Sequence, residues 1–182
     1  DDLNFILKIV KLKKFQYKLI KGSGVSLTKY KPKKLNFKKP IVMFPSRIML
    51  HKGVFEFVKA AKMLKKKKTE ARFVLVGDLE KENPSKIKKN LIMNWVKENL
   101  VEYWGFKTNM PKILNLATIV VLPSYREGLP KSLIEAAAAS RAVVTTDVAG
   151  CRDAIIPNKT GLLVPLRNAD KLADAIQWLI EN

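Results

Sequence analysis

The stretch TIVVLPSYREGLPKSLIE, residues 118–135, decides the fold. Thr118–Leu122 is a short, uninterrupted apolar run of mostly β-branched residues, which reads as a strand buried on both faces. Pro123 closes it. Gly128 and Pro130 then mark a corner, and proline is suited to the first positions of the helix that follows, from about Pro130 to Ala139. A strand covered on both sides and followed at once by a helix is one unit of a parallel α/β sheet.

The same rhythm repeats on either side of that unit. Ile41–Pro45 is a strand run, followed by a helical period from about Val54 to Leu64 that puts Phe55, Val58, Ala61 and Met63 on or near one face. Arg72–Val76 is a second strand closing on Gly77-Asp78. Asn83-Pro84 offers an N-cap and a proline for a helix running to about Asn99. Val101–Trp104 ends at Gly105, and Met110–Leu116 forms a short helix. Ala142–Thr146 and Leu162–Val164 are further strands, and Asp170–Ile180 a final amphipathic helix. The pattern predicts an open, Rossmann-like parallel sheet of about six strands with helices on both faces. Residues 1–39 are a lysine-dense lead whose end, Lys29–Lys34, reads as a connecting segment outside the core.

Ligands in such sheets sit beyond the carboxyl ends of the strands. The loops to inspect are therefore 46–53, 77–82, 105–109, 123–132 and 147–152, where polar residues and glycines collect.

Composition narrows the chemistry. The chain has 182 residues, enough for one domain with a short appendage, and no apolar run long enough to span a membrane. One cysteine excludes an internal disulfide and points to a reducing compartment, and one histidine beside it leaves little to hold a metal. The net charge is +19, and it is uneven: residues 1–100 carry 26 basic and 8 acidic groups, residues 101–182 carry 9 and 8. Such a balance admits a nucleic-acid or membrane-surface module, yet runs such as Lys65–Lys68 read first as solvated helix face. Cations are not interleaved with aromatics, and no recognition-helix motif is present. The opening Asp1-Asp2, without Met, suggests a piece of a longer protein.

Several site types are missing. Gly22-Ser-Gly24 precedes the first strand and lacks a third glycine in register, so no dinucleotide fingerprint exists. No Gly-Lys pair is available for a phosphate-binding Walker loop, and no Asp-x-Asp for a metal-diphosphate site. His51 has no Gly-x-Ser-x-Gly partner. What remains is two loops. One carries Glu127 at its corner and Glu135 eight residues on, with helix amides and a positive dipole end between them. Carboxylates accept hydrogen bonds from sugar and ribose hydroxyls, and helix amides suit phosphate, so the set fits a nucleotide-sugar. The other loop carries Arg47 and Lys52, which could hold a departing diphosphate without a metal.

These residues resemble the C-terminal, donor-binding half of a GT-B glycosyltransferase, in the retaining family 4 group (glycosyl transferases group 1). The resemblance rests on Arg47-x4-Lys52-Gly53, Val76-Gly77, Glu127-Gly-Leu-Pro with Glu135-Ala at Glu-x7-Glu spacing, and Gly161-Leu-Leu-Val-Pro165. Gly22-Ser-Gly24-Val25, Tyr30 and Pro32 resemble the hinge into that half. Ser124–Ser132, Thr145–Arg152 and Gly77-Asp…Asn83-Pro-Ser85 are similar to enzymes of envelope polysaccharide and lipid-linked oligosaccharide synthesis.

The resemblance implies the following expectations. Residues 1–20 would end the acceptor domain and lead into the connection, and 21–182 would be the donor domain, without its returning C-terminal helix. Glu127, with Arg47 and Lys52 on the diphosphate, would be catalytic. Glu135 would hold the ribose diol. Gly128, Leu129, Pro130, Lys131 and Ser132 would meet sugar or phosphate, and Phe106 and Lys107 would border the uracil. A hexose or N-acetylhexosamine would pass from UDP to a lipid-linked or polysaccharide acceptor with retention, with no metal and no cofactor, in the cytoplasm or at the inner membrane face. This fragment alone would be inactive, because the acceptor half usually supplies a catalytic histidine. Asp153 stands where the family often has Glu and is given no role. The alternative is a basic nucleic-acid or membrane-surface binding module without catalysis.

Overall fold

The computed structural model describes residues 2–18, 20, 22–35, 39–79, 83 and 85–182. The strands are β1 (Ile41–Pro45), β2 (Arg72–Val76), β3 (Glu102–Gly105), β4 (Ile119–Leu122), β5 (Ala142–Thr146) and β6 (Gly161–Val164). All neighbours pair in parallel, in the order β3-β2-β1-β4-β5-β6. The order reverses between β1 and β4, where a crevice opens beyond the strand ends. The sequence reading of a six-stranded parallel α/β sheet is what the structure shows.

The helices are α1 (Asp2–Val10), α2 (Val54–Lys66), α3 (Lys89–Lys97), α4 (Met110–Leu114), α5 (Lys131–Ala138), α6 (Ala149–Asp153) and α7 (Ala169–Glu181). Among the described residues, none of them is long and apolar enough to cross a membrane. β4 is buried at every position, and β1, β2 and β5 at all but their first. That is why their sequences are continuous apolar runs rather than alternating ones. Phe44, Phe57 and Phe73 stack across β1, α2 and β2 with ring centroids 5.5 and 6.1 Å apart. Each is almost wholly buried, worth about 1.5–3 kcal/mol of transfer free energy per ring.

Three elements differ from expectation. The helix expected from Asn83-Pro84 begins only at Lys89. The Asn83 carboxamide instead accepts from the Ser85 amide at 2.8 Å, and Lys86 forms an antiparallel bridge with Met49. Those bonds consume the polar groups that would have capped a helix; Pro84 lies outside the described residues. α6 is an added five-residue helix, and it brings Gly150 against the 127–128 backbone. The segment ending at Lys34 is no free connection. Tyr30 is 8% exposed and belongs to the core. Asn115 donates to the Lys31 carbonyl (3.0 Å) and accepts from the Lys33 amide (3.1 Å), and Arg141 donates to the Lys33 carbonyl (2.6 Å).

At the other extreme, Phe5, Ile9, Phe15 and Ile20 are all more than 60% exposed.

Candidate functional site

The site is assembled where β1 and β4 diverge. After β1 the chain passes Ser46, Arg47 and Ile48, makes a single 3-10 turn at Leu50–Lys52, and enters α2 through Gly53. Gly53 has φ 79°, in the left-handed region, and a Cβ there would stand 2.1 Å from the Pro123 carbonyl oxygen. Only glycine lets the turn lie this close to the loop after β4. The two loops are then sewn together: the Tyr125 amide donates to the His51 carbonyl at 2.8 Å.

That contact sets Lys52 beside Glu127. The ammonium donates to Glu127 Oε1 at 2.6 Å, with both side chains mostly buried. Ser124, fully buried, also donates to Glu127 Oε1 at 2.6 Å. Its oxygen lies farther, 3.3 Å, from the His51 carbonyl, so its single proton serves the carboxylate. Behind it, Thr146 at the end of β5 donates to the Ser124 carbonyl. The backbone of Glu127-Gly128 is backed by α6, where a Cβ on Gly150 would fall 1.2 Å from the Gly128 carbonyl oxygen. Gly128 itself is different. Nothing lies within 4 Å of the position its Cβ would take, and its φ is not positive, so open space rather than strain marks it.

Leu129 is half-buried, and a Cβ on Gly22 would meet its side chain at 2.6 Å. Pro130 is the N-cap of α5, and its carbonyl accepts from Leu133 at 3.0 Å. Proline has no N–H, so the donors this corner can offer an anion are the first-turn amides of Lys131 and Ser132. Glu135 is 8% exposed, with the Lys131 ammonium 3.8 Å away. Burial, and then the neighbouring Glu135 carboxylate, hold the Tyr30 phenol far above the ordinary tyrosine range.

Arg47 is exposed on the loop after β1 and contributes to the field at His51. Burial first, then Lys52 and Arg47, lower the His51 pKa, with Glu127 opposing them. His51 thus contributes its carbonyl to the loop contact while its imidazole favours the neutral form. Phe106 (67% exposed) and Lys107 follow β3, where the Gly105 carbonyl accepts from the Gly77 amide at 3.0 Å. They stand three strand positions from the β4 loop, about 14 Å at ordinary strand spacing.

So Lys52, Glu127 and Ser124 form one contact cluster and Lys131 and Glu135 a second on α5, whereas Phe106 and Lys107 stand apart at the end of β3. Sequence reading did not single out Ser124, although it lies in view three residues before Glu127. Cys151 is buried behind the cluster, and burial raises its thiol pKa.

Residues 28–182 match the family profile of glycosyl transferases group 1. The chain is 38% identical over 184 residues to the N,N'-diacetylbacillosaminyl-diphospho-undecaprenol alpha-1,3-N-acetylgalactosaminyltransferase of Campylobacter jejuni. That alignment takes in 94% of this chain but 47% of the relative, so the chain spans less than half the relative's length. Among solved structures, sucrose-phosphate synthase from Thermosynechococcus elongatus superposes with a TM-score of 0.79 at 26% identity, over 99% of this chain and 47% of that one. An S. aureus TarM structure in complex with fondaparinux, alpha-GlcNAc-glycerol and UDP superposes at 0.72 and 29% identity, over 83% of this chain and 30% of that one.

Proposed function

The chain belongs to the glycosyl transferases group 1 family, and from that premise we propose that it is the donor-binding half of a retaining hexosyltransferase that uses a UDP-sugar. The observation that carries this reading is the Lys52–Glu127 pair, held at 2.6 Å where the sheet order reverses, on the loop that leads into α5. A carboxylate that accepts sugar hydroxyls lies beside a cation that can take a phosphate. The UDP bound in the S. aureus TarM structure supports the choice of nucleotide.

In this proposal the bond between the anomeric carbon and the β-phosphate oxygen breaks, and a bond to an acceptor hydroxyl oxygen forms. The acceptor proton leaves with UDP or solvent. Negative charge grows on the diphosphate, where Lys52, Arg47 and the amides of Lys131 and Ser132 stabilise it without a metal or cofactor. Glu127 fixes the sugar, Glu135 the ribose diol, and Phe106 and Lys107 flank the base.

The acceptor surface belongs to the half of the relatives that this chain does not span. We assign residues 1–20 to the end of that half, which gives the exposed Phe5, Ile9, Phe15 and Ile20 something to pack on. The undecaprenol-linked substrate in the C. jejuni relative's name favours a lipid-linked acceptor at the inner membrane face. The family match favours this reading over a basic binding module, for which no contact in the site speaks.

A thermal-shift panel of UDP-, GDP- and ADP-hexoses tests the donor. A ligand that binds only the folded state raises the melting temperature by an amount that grows with the logarithm of its concentration over its dissociation constant, so at equal concentration the tightest binder shifts it most. A UDP-hexose should give the largest shift; equal shifts from all three nucleotides would contradict the assignment.

A further inference from the structure

We propose that Tyr125 is a positioning residue for Glu127, braced by Glu56 and Arg167, and that it tunes the grip on the donor sugar but not on the nucleotide. The inference rests on the reading of Glu127 as the sugar-holding carboxylate.

Tyr125 is fixed from three directions by three different elements. Its amide donates to the His51 carbonyl at 2.8 Å, on the loop after β1. Its phenol donates to Glu56 Oε1 at 2.7 Å, in the first turn of α2. The Arg167 guanidinium lies over its ring, 4.6 Å from the centroid, on the loop between β6 and α7. Arg167 reaches that place from a left-handed backbone (φ 55°), which a non-glycine residue adopts at a cost.

Glu56 has its own stake in the contact. Among the described residues its Oε2 is buried with no hydrogen-bond partner, and the phenol is the side-chain donor to this carboxylate. On a part-buried carboxylate whose other oxygen is shielded from water, that bond is costly to lose. Burial, followed by the Glu56 bond, raises the Tyr125 pKa to about 12, which keeps the phenol protonated and donating.

Tyr125 lies directly between Ser124, the donor to Glu127, and Arg126, which precedes it. Rotation of the 124–127 corner would carry Ser124 and Glu127 away from Lys52 together. The brace resists this rotation from outside the Lys52–Glu127 contact.

The test is calorimetric titration of UDP and of a UDP-hexose (the one giving the largest thermal shift) into the full chain. Variants are Tyr125→Phe, Glu56→Leu and Glu56→Gln, with Glu127→Gln as reference. Tyr125→Phe keeps the ring and the arginine above it. It should weaken UDP-hexose binding about 3–10-fold and leave UDP binding within about twofold. Glu56→Leu should match it, and the double variant should be no worse than either single one. Glu56→Gln keeps an acceptor for the phenol and should stay near wild type.

Loss of UDP and UDP-hexose binding in equal measure, or no change in either variant, would overturn the proposal. If Glu127→Gln itself fails to discriminate the two ligands, the sugar-holding role falls, and the inference with it. If Glu127→Gln discriminates and Tyr125→Phe does not, only the inference falls.

Discussion

Lys52 and Glu127 lie 75 residues apart in the chain, and their side chains meet at 2.6 Å. The contact spans the crevice between β1 and β4 and ties together the loops that follow the two strands. A pair this well shielded behaves unlike a surface ion pair. Removing one member leaves the other in a poorly hydrated place.

Lys52→Ala should therefore destabilise the fold by about 2 kcal/mol, the cost of a mostly buried carboxylate that has lost its ammonium partner and keeps the Ser124 hydroxyl. Urea unfolding monitored by circular dichroism measures it. Lys131→Ala, which removes a solvent-exposed ammonium 3.8 Å from Glu135, should cost under about 0.5 kcal/mol.

The glycines of the site separate by what surrounds them. Gly150→Ala drives a methyl into the Gly128 carbonyl and should cost about 3 kcal/mol or more, since backbone cannot yield as a side chain does. Gly128→Ala meets nothing and should leave the melting temperature unchanged while weakening donor binding, because the methyl occupies space left for the ligand. Thermal melts of both variants, with and without UDP, test the contrast.

His51 gives the chain a pH dependence of definite sign. Its folded pKa lies below the ordinary 6.5, so the unfolded chain binds its proton first. The associated stability is fully present above about pH 6.5 and is lost as pH falls from there toward the folded value. His51→Asn should flatten the stability profile between about pH 7 and pH 5. A profile unchanged by the substitution would remove His51 as its source.

Asn115 anchors the segment before β1. Asn115→Ala deletes its bonds to the Lys31 carbonyl, the Lys33 amide and the Arg141 guanidinium. Arg141 is nearly fully buried, and among the described residues its Nε and Nη1 have no hydrogen-bond partner, so it can spare none. A loss of about 1–3 kcal/mol is expected, with faster amide exchange over residues 31–35. Exchange unaltered there would show that the anchor is redundant.

How much of this was legible in sequence depended on range. The strands were legible because burial on both faces writes a continuous apolar run, as in TIVVL at 118–122. So was the location of the crevice, because parallel topology fixes where ligands can sit. Two things were not legible. Asn83 looked like a helix cap, but the bridge from Met49 to Lys86 overrode it, and that partner lies 37 positions upstream. Tyr30 looked like part of a charged connection, but its ring and phenol are claimed by the core and by Glu135, more than 100 residues away. Local pattern reports local preference; contacts over such distances leave no spacing to read. For the same reason the Glu127–Glu135 interval can be read from the local motif, whereas the contacts among Glu56, Tyr125 and Arg167 cannot.

The central claim, a nucleotide diphosphate held between the Arg47–Lys52 loop and the start of α5, is tested most directly by titrating UDP into the wild-type chain and into Arg47→Ala and Glu135→Ala. The account predicts measurable binding to wild type and at least about a tenfold loss in each variant, about 1.4 kcal/mol apiece. Unchanged UDP affinity in both variants would contradict it.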